Sequence, residues 1–173
     1  MFLLQHVEPK DATGMVVGEA YAVFPKEFPV PTPLVLMSAS PELAHLQSGI
    51  IRHFMTHSKL DMGLLAMIRY VVANEYNYPF CINLNAGILK MAGGMSDAEL
   101  QAMKADPEKA PLEEFQKALL RFVVKVIRTP EKVEKSDIDH LHELGWSDQD
   151  IFDAAYHGAA MITASTLYKA FIR

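Results

Sequence analysis

The chain of 173 residues contains a single cysteine, Cys81, and a single tryptophan, Trp146. With one cysteine an internal disulfide is excluded, so any disulfide it forms is with another molecule. Sustained period-2 alternation of strand-type residues is missing, which argues against a β fold. Long apolar runs are missing too: Arg69 interrupts the longest, and the start Met1-Phe-Leu-Leu turns polar at Gln5-His6, too soon for a signal peptide. A cytoplasmic protein with no membrane partner is the expectation. The formal charge of −5 carries no basic stripe, which argues against nucleic acid as a partner.

Half of the residues are hydrophobic, enough for a substantial core in one domain. Helical periodicity with caps recurs in seven or eight segments, so the expected class is all-α in a single domain over 1–173. Within it, residues 1–39 hold an N-terminal helix and a Pro-rich strap, and 40–173 form the core. The first helix is expected from Ala12 to about Phe24, with Asp11 or Thr13 as cap. Pro25, Pro29, Pro31 and Pro33 forbid regular helix, so 25–33 reads as an extended connector. Ser40-Pro41-Glu42 opens a helix whose Leu43, Leu46, Ile50 and Phe54 form one apolar stripe. Asp61 caps the next, where Leu64, Leu65, Ile68, Val71 and Val72 follow the helical repeat. Gly94-x-Ser96-x-x-Glu99 and Gly145-x-Ser147-x-x-Asp150 read as one helix-turn-helix joint used twice, a left-handed glycine followed by a capping box. Trp146 and Ile151 occupy the positions of a hydrophobic staple. The tail from Ser147 to about Ile172 reads as one long helix with small residues crowding its middle.

The joint before the fifth of these segments carries the cysteine: Glu75-Tyr-Asn-Tyr-Pro-Phe-Cys81-Ile-Asn-Leu-Asn85. Asn77 is a preferred cap type and Pro79 suits a first helical turn, so Cys81 is placed where unsatisfied N–H groups favour a thiolate. Burial among Phe80, Ile82 and the tyrosines would act the other way and raise its pKa. Tyr78, Cys81 and Asn85 stand three and four apart and share a helical face.

Tyr78-x-x-Cys81-x-x-x-Asn85 resembles the C-x-x-C-x-x-x-H signature of the alkylhydroperoxidase D-like (carboxymuconolactone decarboxylase) superfamily, with Cys81 as its second cysteine. The frame matches as well: the apolar helix ending in Val71-Val72-Ala73, the Pro-Phe-Cys start, and Gly93-Gly94-Met95-Ser96-Asp97 after it. The tail from Thr129-Pro130 to Leu144-Gly145-Trp146-Ser147 resembles the uncharacterized peroxidase-related branch. Tyr78 stands for the first cysteine, Asn85 for the histidine, and Ala66 where the family's relay glutamate would be. The resemblance implies a helical homo-oligomer and a thiol-dependent peroxidase, an antioxidant oxidoreductase needing no cofactor. Cys81 would attack a hydroperoxide, and a small thiol or thiol protein would regenerate it. By side-chain type alone, Tyr78, Glu75 or His53 would move protons. The alternative is a catalytically degenerate member that binds a small molecule in a pocket lined by Tyr70, Tyr76, Tyr78 and Phe80, with Asn85 as a polar contact.

The remaining histidines are read as follows. His53 and His57, four apart on one helix, have the spacing of a shared metal, but no carboxylate nearby in sequence completes a site and the expected metal is none. His140 and His142 point in different directions and are solvated. His157 lies among the small residues of the last helix and reads as a packing or interface residue.

Overall fold

Helical periodicity without strand alternation yields helices throughout the computed structural model, which describes residues 1–25 and 28–173. Among the described residues there are nine α-helices, with no strand beyond an isolated antiparallel bridge between Phe2 and Ile172. They are α1 (Val16–Tyr21), α2 (Thr32–Met37), α3 (Pro41–Met55), α4 (Met62–Glu75), α5 (Pro79–Gly93), α6 (Asp97–Ala105), α7 (Glu114–Arg128), α8 (Lys135–Glu143) and α9 (Asp148–Phe171). Part of the expected Pro-rich strap, Lys26 and Glu27, lies outside the described residues. The rest gather into two compact units, one of Met1–Ser58 with Thr166–Arg173 and one of Lys59–Ser165. That division falls at 58/59 and 165/166, whereas the sequence reading set its boundary at 39/40 inside one domain.

In the first unit the opening helix is shorter than its periodicity suggests. Gly14, at φ +77°, turns the chain back so that α1 begins only after Met15, and neither Asp11 nor Thr13 caps it. Gly18 then lets the Ala12 carbonyl come within 2.3 Å of where a Cβ would stand. Two hydrogen bonds tie the first residues down: Val7 N–H to Ser38 Oγ at 2.7 Å and the Tyr21 hydroxyl to Val7 C=O at 2.7 Å. The core is built from Val17, Ala20, Tyr21, Leu34, Val35 and Ala44. One expectation holds only in part here. Of the α3 stripe Phe54 is buried and Ile50 half-buried, but Leu43 is 51% and Leu46 65% exposed, and Ala44 and Ser48 are buried in their place. The small residues face α1 and permit close approach, which the leucines would prevent.

In the second unit α4 is the centre, and it is buried on more than the one side expected: Leu64, Leu65, Ile68, Tyr70 and Val72 are all enclosed. Each large apolar side chain so buried contributes about 1.5–3 kcal/mol. Asp61 caps it as the sequence indicates, its Oδ1 accepting from Leu64 N–H at 2.9 Å. α7 opens at Glu114, with Glu113 and Gln116 forming its capping box, and lays Leu119, Leu120 and Val123 inward. Both repeated joints take the expected form. Gly94 and Gly145 sit at φ +65° and +89°, and Ser96 with Glu99 and Ser147 with Asp150 make reciprocal caps. Trp146 is buried and donates its indole N–H to the Phe115 carbonyl at 2.9 Å, so it staples the start of α9.

Candidate functional site

The residues flagged around Cys81 are set by how α4 ends and α5 begins. After Glu75 the chain closes with Asn77 N–H to Asn74 C=O at 3.3 Å and Tyr78 N–H to Ala73 C=O at 2.9 Å. This pair of bonds is a Schellman closure with Asn77 in its left-handed position, at φ +45°. Asparagine is among the few residues other than glycine that tolerate that conformation. Asn77 therefore ends α4 rather than capping α5, and Tyr78 takes the N-cap position without a side-chain cap bond. Pro79 fills the first helical position, and Cys81 follows in the first turn of α5, as expected.

Tyr78, Cys81 and Asn85 share the inner face of α5 and are all buried. Asn85 is engaged on both sides of its amide: its Nδ2 donates to the Cys81 carbonyl at 2.7 Å and its Oδ1 accepts from Arg69 Nε at 2.8 Å. Donor and acceptor demands on its two sides fix the amide orientation. Asn85 thus bridges Arg69 and the Cys81 main chain with one donor and one acceptor of its amide.

Arg69 comes from α4 and is half-buried. In the sequence it stands only as the interruption of an apolar run. The signal was present, a lone charge between Ile68 and Tyr70 in a helix otherwise apolar on nearly every side, but what it meets cannot be read from α4 alone. His157 joins from α9 through a hydrogen bond to the Leu65 main chain. Gly158 makes this possible, since a Cβ there would lie 2.6 Å from Val123 Cγ1.

Electrostatics in this cluster run against ionisation of the cysteine. Burial pushes the Cys81 thiol up to about 11, with a hydrogen bond from Tyr78 and the Arg69 charge opposing it. The effect of burial exceeds that of the helix start, and Cys81 is a neutral thiol at pH 7. His157 is lowered to about 3, first by burial and then by the Arg69 charge, so it too is neutral. Burial also lowers Arg69 from its usual value, with Cys81 opposing.

The other candidates stand apart from this cluster or are otherwise occupied. Glu75 accepts from Arg128 Nε at 2.9 and 3.0 Å and pairs with its Nη2, joining the ends of α4 and α7. Tyr70 is buried while Tyr76 and Phe80 are half-buried. In the first unit, His53 and His57 meet edge-on with ring centroids 5.6 Å apart. His140 and His142 are exposed beside Glu143 and Asp148, as expected of solvated side chains. An open cleft of about 620 Å³ lies in the first unit, bounded by Phe2, Tyr21, Phe24, Phe28 and Val35, and none of the Cys81 group lines it. Among the described residues no helix is long and apolar enough to cross a membrane.

No family model matches the sequence, and no curated protein matches it significantly. The fold does have solved counterparts. An uncharacterized peroxidase-related protein from Silicibacter sp. TM1040 superposes with a TM-score of 0.74 at 21% identity, over 88% of this chain and 81% of that one. Another from Ralstonia eutropha JMP134, described as an alkylhydroperoxidase AhpD core, gives 0.75 at 20% identity over 95% and 84%. The chain shares their all-helical fold.

Proposed function

We propose that this chain is an alkylhydroperoxidase D-like protein that keeps the helical frame but binds a small molecule beside Cys81 instead of reducing peroxide. The observation that carries this reading is the state of Cys81, 6% exposed and protonated at neutral pH. A thiol reacts with hydroperoxide as its thiolate, and burial keeps Cys81 almost entirely protonated near pH 7. The buried Tyr78 and Asn85, at the positions of the family's other cysteine and histidine, support the same reading. Intact mass after mild peroxide at pH 7 tests it. The native protein stays unmodified and takes up a thiol reagent only once unfolded; rapid addition of oxygen to the native chain overturns the reading.

A second reading is favoured by the Tyr78 hydrogen bond and the Arg69 charge, both of which draw Cys81 toward the thiolate. In it the Cys81 thiolate attacks the distal oxygen of a hydroperoxide, releasing an alcohol and leaving a sulfenic acid. An external thiol then forms a mixed disulfide with loss of water, and a second thiol restores Cys81. The resolving thiol must be external because Cys81 is the chain's one cysteine.

We also propose a homo-oligomer. Phe152 and Tyr156 on α9, Leu84 and Met91 on α5, and Leu43 and Leu46 on α3 are exposed large apolar or aromatic side chains that a second copy would cover. Sedimentation at micromolar concentration gives more than one chain per particle; a monomer rejects the assembly.

A further inference from the structure

The second unit has three arginines, and two of them meet carboxylates: Arg121 pairs with Glu108 and Glu114, and Arg128 with Glu75. Arg69 does not. Its Nε donates to a neutral amide, Asn85, and its Nη2 touches the Met62 sulfur at 3.8 Å. Of the five N–H groups of a guanidinium, the two on Nη1 have no protein acceptor among the described residues. The ionisable groups coupled to its charge, Cys81 and His157, are both neutral at pH 7. A half-buried cation in such surroundings is poorly solvated and has no counter-charge, an arrangement that an arriving anion relieves.

We propose that Arg69 anchors a carboxylate-binding site for a small organic acid with an apolar body. This rests on the small-molecule reading above and names its ligand class. The Nη edge presents paired N–H groups in the geometry a carboxylate accepts in bidentate fashion. One guanidinium, with no lysine or second arginine in the cluster, balances a single negative charge, which favours a carboxylate over a doubly charged phosphate. Asn85 holds the guanidinium plane by Nε and so leaves the Nη edge to the ligand. The apolar body has a matching neighbour in Met62, which is 43% exposed and already lies against Nη2.

Titration of the full chain with hexanoate and with hexanamide, followed by calorimetry and by the Arg69 Nε–H signal in NMR spectra at pH 7, tests the site. Hexanoate binds saturably and shifts that signal, hexanamide binds at least about tenfold more weakly, and Arg69→Met loses the hexanoate preference. Equal binding of the two probes, or hexanoate binding undiminished in a folded Arg69→Met, overturns the carboxylate site while leaving small-molecule binding intact. An unmoved Arg69 signal in the wild-type chain at saturating hexanoate overturns it as well, whether or not the variant folds. Stronger binding of inorganic phosphate than of hexanoate does the same. Rapid peroxide oxidation of Cys81 at pH 7 would instead remove the reading on which the inference rests.

Discussion

Arg69 on α4 and Asn85 on α5 are joined by one charge-assisted hydrogen bond of 2.8 Å, and the same Asn85 amide holds the Cys81 carbonyl at 2.7 Å. One side chain therefore fixes both the cation and the turn that carries the thiol. Asn85→Ala strips the acceptor from Arg69 and the donor from Cys81 and leaves a small void. A destabilisation of about 3 kcal/mol is expected. Urea unfolding shows it as a lower midpoint at unchanged slope; an unaltered midpoint would mean that solvent replaces both bonds.

Cys81 gives the protein an alkaline limb. Its thiol ionises at about 11 in the folded chain against a usual 9.0. Below pH 9 the group is protonated in both states and its contribution is intact. Between about 9 and 11 the unfolded chain releases the proton and the folded chain keeps it, so stability falls as pH rises, by roughly 3 kcal/mol over the window. Cys81→Ala removes that part of the decline. Denaturation curves of both proteins from pH 8 to 11 measure it, and parallel losses would show that the thiol is not the cause.

His157 acts at the opposite end. Held neutral down to about 3 against a usual 6.5, it binds a proton in the unfolded chain before it does in the folded one. Stability is therefore full above pH 6.5 and is lost as pH falls toward 3, by roughly 5 kcal/mol if the group acts alone. The histidine ring signals of the native chain should include one set that does not titrate between pH 5 and 8. Replacement by leucine should flatten the acid limb; a His157 ring that titrates between pH 5 and 8 in the native chain would contradict the burial.

How much of this was legible in the sequence depends on the range of the interaction involved. The joints at Gly94-Ser96 and Gly145-Ser147 are local chemistry: a left-handed glycine and a reciprocal cap are complete within a few residues, and both form as read. The α4 helix and the placement of Cys81 in a first turn follow from periodicity and Pro79 in the same way. The state of Cys81 does not, because the local N–H groups argue for a thiolate while burial by α4, a tertiary effect, decides for the thiol. Arg69 was passed over for the same reason, since its partners lie on α5 and α9. On α3 the sequence marks the leucines as the apolar face, but the size of what packs there selects Ala44 and Ser48 instead.

Three glycines that look alike in sequence should respond differently to alanine. At Gly18 the new Cβ would stand 2.3 Å from the Ala12 carbonyl oxygen, which is backbone and cannot swing aside. Gly18→Ala must displace the turn before α1, and a loss of more than about 2 kcal/mol is expected. At Gly158 the obstacle is Val123 Cγ1 at 2.6 Å, with Ile68 and Val72 side chains at 3.6 and 3.7 Å behind it. A valine can change rotamer, so Gly158→Ala should cost about 1–3 kcal/mol and move α9 away from α4, disturbing the His157 bond to Leu65. Gly49 lies within α3 and has nothing within 4 Å of the new methyl. There the substitution only restricts the unfolded chain and improves helix propensity, so Gly49→Ala should stabilise by up to about 1 kcal/mol. Melting temperatures of the three variants should rank Gly49→Ala above the wild type, then Gly158→Ala, then Gly18→Ala. A melting temperature for Gly158→Ala at or above the wild-type value would mean that α9 does not approach Val123 as closely as this packing requires, and the placement of His157 beside Arg69 would fall with it.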